Sequence, residues 1–206
     1  PATEDEETLK RLAALGYIGS LRDRAGGTDL PNPVDNIANL RRMEEGWRLA
    51  GLGQTERAIE HLAAMVAENP GMSDAGIKLA ELQAEAGRDD DAAATYRQVL
   101  DRSPVPLPDI AIALGLVELR RKRFDEAEEL ARGALPGLPA KAHILLSRVS
   151  LARGDFATAE REANEAAGGR EPEPSAILVL AEVKLKAGRS AEGIADVERA
   201  AARAKE

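Results

Sequence analysis

The chain has 206 residues, 44% hydrophobic, 31% charged and only 2% aromatic, with no cysteine; it is one alanine-rich ordered domain or an array of small units, and disulfide frameworks and thiolate metal sites are excluded. Twenty-eight basic against 36 acidic side chains give a formal charge of −8, which repels phosphate backbones and anionic membrane surfaces, so nucleic acid is a poor partner. No apolar run approaches the roughly 18 residues of a membrane span and no signal segment opens the chain, so no membrane insertion is expected; a start at Pro1 instead of Met reads as a fragment or a trimmed product.

Taken in chain order, Thr3-Glu4-Asp5-Glu6 has the spacing of a capping box, and Leu9, Leu12, Ala13 and Leu15 form an apolar stripe ended by Gly16. A short helix is predicted there. The stretch Tyr17-Ile18-Gly19-Ser20-Leu21 and then Gly26 to Pro33 reads as an apolar linker, closing a segment of residues 1–33.

From residue 34 a period dominates. Gly53, Gly87, Gly154 and Gly188 each end one helical apolar pattern and precede another, with 34 residues from Gly53 to Gly87 and again from Gly154 to Gly188. The interval from Gly87 to Gly154 leaves room for one more unit, whose turn, Arg121-Lys122-Arg123-Phe124, has no glycine. Apolar residues recur at three- and four-residue steps, as in Leu40, Met43, Trp47, Ala50 and then Ala58, Leu62, Met65, which is helix periodicity. Pro70, Pro104, Pro139 and Pro172 stand where one unit is expected to stop before the next. Five helix-turn-helix units are predicted, over 34–72, 73–107, 108–139, 140–173 and 174–206. Pro136 is expected to shorten the second helix of the third. Small residues sit where paired helices must approach: Gly46, Ala80, Gly115, Ser147 and Ala181 in first helices, Ala58, Ala92, Ala127, Ala159 and Gly193 in second helices.

These positions resemble the tetratricopeptide repeat: the small residue of the first helix, the turn glycine, an aromatic after the turn at Phe124 and Phe156, the alanine opening the second helix and the closing proline. Thr55, Asp89 and Ser190 depart from the aromatic, and Gly193 from the alanine. The resemblance implies an all-α, right-handed superhelical solenoid of five repeats whose first helices line a concave protein-binding groove. Carried over residue by residue, it implies groove positions Met43 and Trp47 in the first unit; Ile77, Lys78 and Glu81 in the second; and Ile112, Leu116 and Arg120 in the third. Lys141, Ile144 and Arg148 follow in the fourth unit, Leu178 and Glu182 in the fifth. The clamp with which chaperone-binding members hold a C-terminal carboxylate is not reproduced, because Met43, Ile77, Ile112, Ile144 and Leu178 make the expected surface apolar. A phase error of one residue would put some of them in the core instead.

Leu9-Lys10-Arg11-Leu12-Ala13-Ala14-Leu15-Gly16-Tyr17-Ile18-Gly19 resembles the tail that closes the catalytic domain of many bacterial sulfatases, after which a proline-rich stretch leads into C-terminal tetratricopeptide repeats. The resemblance implies that the chain is the non-catalytic C-terminal region of a sulfatase-like protein, periplasmic or exported. The family's Cys- or Ser-x-Pro-x-Arg nucleophile sequence is missing, and Ser103-Pro104-Val105-Pro106 has its prolines in the wrong places. Alternatives are a free-standing adaptor in envelope assembly or secretion, or a regulatory or substrate-positioning part of a sulfate-ester hydrolase.

No residues are assigned to catalysis, cofactor binding or metal binding. His61 and His143 lie two to three units apart and are expected at the surface or in the groove, not on a shared zinc. Gly26-Gly27 and Gly168-Gly169 lack the Lys-Ser/Thr of a phosphate loop and read as linkers. The basic run Arg120 to Arg123 reads as a solvated turn, and Asp89-Asp90-Asp91 as a helix N-terminus that suits negative charge. The expected partner is a protein or peptide: an apolar or amphipathic segment, the chain's own residues 9–21, or the parent's catalytic domain. A homodimer through the last helix, whose Ile194, Val197 and Ala201 lack a polar cap, is a further expectation.

Overall fold

Alanine-rich stretches of helical period form ten helices among the described residues, which in this computed structural model are 33–168 and 174–203. They are α1 (Pro33–Gly51), α2 (Thr55–Glu68), α3 (Ser73–Glu85), α4 (Asp89–Arg102) and α5 (Pro108–Arg120), followed by α6 (Phe124–Ala134), α7 (Pro139–Ala152), α8 (Phe156–Ala167), α9 (Pro174–Lys186) and α10 (Ser190–Arg203). By contacts the chain divides into Pro1–Leu40 and Arg41–Glu206. Of the first unit only the opening of α1 is described. The expected N-terminal helix, the linker and residues 9–19 lie outside the described residues.

The second unit is built of helix pairs. Each pair is closed by a turn whose last residue is left-handed: Gly53, Gly87, Gly154 and Gly188 have φ of 72°, 75°, 81° and 81°. Glycine takes that conformation without a Cβ clash. In the third pair Lys122 takes it instead, with φ 60°, and the same closing bond forms, Arg123 N–H donating to Glu118 O at 2.8 Å as Arg88 N–H does to Gln83 O. Proline acts at helix starts more than at unit ends: Pro108, Pro139 and Pro174 open α5, α7 and α9, where the missing N–H has no intrahelical partner to lose. The third pair has the shortest second helix, α6, of 11 residues, ending at Ala134 before Pro136.

The paired helices cross at the small residues. A Cβ on Gly46 would stand 2.7 Å from Leu62 Cδ2, Ala58, Ala80, Ala92, Ala127 and Ala159 are fully buried, and buried Ser147 donates its hydroxyl to Ala159 O at 2.7 Å. Successive pairs then stack, and each apolar cluster joins a pair to the first helix of the next. Ile59, Leu62 and Met65 of α2 pack with Leu79 and Leu82 of α3, Tyr96 of α4 with Leu114 and Val117 of α5, Ala131 of α6 with Leu145 and Val149 of α7, and Ala163 of α8 with Val179 and Val183 of α9. The core is therefore a row of seams, as in a one-dimensional repeat array. First helices also touch one another, α5 with α7 and α7 with α9.

The basic turn is not merely solvated. Glu118, 0% exposed, receives Arg97, Arg121 (2.8 Å) and, at longer range, Arg123 (3.9 Å). Arg121 also reaches Asp90 and Arg120 reaches Asp89, which ties the two N-terminal aspartates of α4 to the end of α5. The sequence reading missed this because the carboxylate that gathers the run sits within α5, where apolar periodicity alone predicts core.

A candidate protein-binding face on the first helices

Counting back from each turn sorts the first-helix positions by what they meet. Ten residues before the turn stand Met43, Ile77, Ile112, Ile144 and Leu178. This row was expected in the groove. The structure corrects it: Met43, Ile112 and Ile144 are buried, and they pack in the seams with α2 and α3, with α6 and α7, and with α8 and α9 respectively. An apolar side chain there covers the next first helix as it arrives, which leaves almost no surface for a partner. Ile77 is half-buried, and Leu178 is exposed because no further first helix follows α9 among the described residues.

The exposed rows lie elsewhere. Six residues before the turn come Trp47, Glu81, Leu116, Arg148 and Glu182; two residues before it come Gly51, Glu85, Arg120, Ala152 and Lys186. Of the sequence-predicted residues, Trp47, Lys78, Glu81, Leu116, Arg120, Lys141, Arg148 and Glu182 are exposed or half-buried. Glu85, Lys122 and Lys186 were missed, although the same counting from the turn finds Glu85 and Lys186 in the sequence.

Two clefts open along these rows. The first, of about 770 Å³, lies between α1 and α3 and is lined by Trp47, Asp74, Ile77, Lys78, Glu81 and Glu85 with Ala50 and Leu82. Lys78 is held by Glu81 at 3.0 Å, and among the described residues no cation pairs with Asp74 or Glu85. Burial, reinforced by Glu81 and Glu85, pushes the neighbouring Tyr96 hydroxyl up to about 12. That end of the face is acidic, with the chain's one tryptophan, 45% exposed, at its edge.

The second cleft, of about 480 Å³, spans the ends of α5, α7 and α9 and is lined by Arg120, Lys122, Arg148 and Lys186 with Phe124, Leu151 and Glu182. Asp89 holds Arg120 at 2.5 Å and keeps its guanidinium above the usual range by hydrogen bonding. Glu182 meets Lys186 at 3.1 Å, while Lys122 and Arg148 have no ion pair among the described residues. Lys141, expected in the same row, is held by Asp109 at 2.8 Å. The face thus runs from acidic at α1–α3 to basic at α5–α9.

The histidines belong to the helix pairs, not to the groove. His61 Nε2 lies 2.8 Å from Arg42 O, and His143 Nδ1 2.8 Å from a Glu162 oxygen, each across a first and second helix. Among the described residues no group of His, Cys, Asp or Glu is placed to hold a metal ion, and no helix is long and apolar enough to cross a membrane.

Helix pairs that repeat at this period, close on a left-handed residue and stack seam by seam define an α-solenoid. Tetratricopeptide repeat family models match residues 49–115 and 90–142, and over this stretch the chain is similar to that family. The fold is similar to that of a tetratricopeptide repeat protein from Parabacteroides merdae ATCC 43184, at 17% identity over 82% of this chain and 66% of that one, TM-score 0.73. It is also similar to TTC0263, a thermophilic TPR protein of Thermus thermophilus, at 22% identity over 82% and 92%, TM-score 0.65. PilW, a type IV pilus biogenesis factor, shares the fold at 19% identity over 80% and 78%, TM-score 0.67. No curated protein matches the sequence.

Proposed function

We propose that the array is a non-catalytic protein-binding module that takes an extended segment along its first helices, and that it forms the C-terminal repeat region of a sulfatase-like protein. The polarised face carries the first part. A partner segment with Lys or Arg beside an apolar residue suits the cleft of Trp47, Asp74, Glu81 and Glu85, where a cation gains the Asp74 and Glu85 carboxylates, which have no ion pair among the described residues, and the tryptophan ring. An acidic residue or terminal carboxylate further along suits Lys122 and Arg148. The parentage rests on residues 9–19 and on their order before the repeats.

Trp47 supplies the readout, being the one tryptophan. A peptide with Lys-Leu at one end and Glu at the other should shift its emission to the blue, and Glu81→Lys with Glu85→Lys should abolish the shift. Equal binding of a peptide with only acidic residues by the wild-type cleft would sink the polarity. Sulfate-ester turnover by this chain alone would sink the non-catalytic reading. The parentage is tested by the gene: a sulfatase domain upstream supports it, and a reading frame opening just before Pro1 leaves a free-standing adaptor instead.

A further inference from the structure

Five residues, 103–107, link α4 to α5, where four suffice at 69–72 and 135–138. Pro104 and Pro106 fix two backbone angles of this connection. Ser103 clasps it, its hydroxyl donating to Val105 O at 2.7 Å and accepting from Val105 N–H at 3.3 Å. Through Pro106 and Leu107 the connection walls a third cleft, of about 550 Å³, between α4, the start of α5 and α6. The floor is Leu100, Leu114 and Leu130, which pack in one seam cluster, so the core holds its shape. No residue of this cleft lines either of the other two. Leu114 on its floor and Leu116 on the first-helix face stand two residues, about 200°, apart around α5.

Two features suit the cleft to a ligand. Gly133, in the last turn of α6, lines it, and a Cβ there would meet nothing within 4 Å. Its bareness answers no close helix crossing, unlike that of Gly46 or Gly115, and the counterparts at the same distance from their turns, Ala64, Gln98 and Glu165, carry side chains. The second feature is charge. Asp101, Glu126 and Glu129 stand around the cleft against a single cation, Arg97. Arg97 is bound to Glu118, and Glu126 to Arg123 at 2.7 Å, whereas Asp101 and Glu129, both exposed, have no ion pair among the described residues.

We propose that this cleft is a second docking site, on the second-helix side, for a segment of a partner protein in which an aliphatic side chain is followed by Arg or Lys. The aliphatic chain enters over Leu100, Leu114 and Leu130 beside Gly133, and the cation meets Asp101 and Glu129. Complementary charge selects this occupant. An acidic segment would face two unopposed carboxylates, and a second copy of a chain with net charge −8 brings the same carboxylates with it. Because the cleft is separate from the first-helix face, one array holds two segments at once.

Titration of the full chain with the blocked peptide acetyl-Leu-Leu-Arg-amide, followed by NMR, tests this. The Gly133 and Val105 amides report this cleft, and the Trp47 indole N–H reports the first-helix face. The two amide signals are expected to move and saturate, and Asp101→Lys with Glu129→Lys, both at exposed positions, should weaken that response about tenfold or more. Gly133→Leu, whose side chain would fill the cleft, should abolish the Val105 response while the melting temperature is kept. Acetyl-Leu-Leu-Glu-amide should leave both amides still. The inference is overturned by movement of the Trp47 signal alone, by no response at millimolar peptide, by a response that survives the charge reversal or the filled cleft, or by equal binding of the Glu peptide. Amide signals that move with protein concentration in the absence of peptide would also overturn it, giving the cleft to a second copy.

Discussion

Ala181 of α9 turns its carbonyl oxygen toward Gly193 of α10 so closely that a Cβ at 193 would lie 2.9 Å from it, and 2.7 Å from Leu185 Cγ. The departure from alanine at this position is thus a fit to a close helix crossing. Gly193→Ala is expected to lower stability by about 1–3 kcal/mol through overpacking, despite the better helix propensity of alanine. Gly133→Ala in α6, where a new Cβ meets nothing within 4 Å, should raise it by about 0.5 kcal/mol. Urea unfolding of the two variants distinguishes these signs.

Lys122 carries a backbone strain that the other four turns avoid. Its φ of 60° is one that L side chains adopt at a penalty of roughly 1 kcal/mol, so Lys122→Gly should raise the unfolding midpoint, and Gly87→Ala, at φ 75°, should lower it by a similar amount. A destabilised Lys122→Gly protein would mean that the lysine side chain contributes more than its turn geometry costs.

Glu118 is a fully covered carboxylate gathered by arginines from α4 and from its own turn. Glu118→Ala should cost about 2–4 kcal/mol, because it removes the partner of Arg121, itself only 19% exposed. Chemical denaturation measures it, and a loss as small as that of a surface ion pair would show that the arginines simply rehydrate.

Acid should weaken the fold. Hydrogen bonds from Arg153 and then Arg132 hold the Glu128 carboxyl below its ordinary value, and at Glu162 the desolvation that would raise it is outweighed by the His143 and Arg161 contacts. A depressed folded pKa means that the unfolded chain binds more protons in this range, so stability is complete above the ordinary glutamate value of about 4.3 and declines as pH falls below it. Melting temperature measured from pH 7 to pH 3 should drop over that acid limb, and less steeply in Glu128→Gln. At the other extreme Tyr96, raised to about 12, remains protonated in the fold after an unfolded tyrosine ionises near 10, so stability is lost as pH rises from about 10 toward 12; phenolate absorbance reads it directly.

The period, the pairing of helices and the small residues at each crossing were legible from residue order alone. They depend on local rules: a helical apolar step, a left-handed residue at the turn, and a side chain short enough at Gly46 or Ser147 to let its partner approach. Even the glycine-free third turn was placed correctly, because spacing marks it. Which exposed row a partner could touch was decided by stacking. Met43, Ile112 and Ile144 look like groove residues on an isolated helix, and only the arrival of the next first helix covers them. The polarity of the face likewise emerges from separate units brought side by side, Glu85 beside Trp47 and Arg148 beside Lys122. Exposure in such an array belongs to the neighbour as much as to the residue.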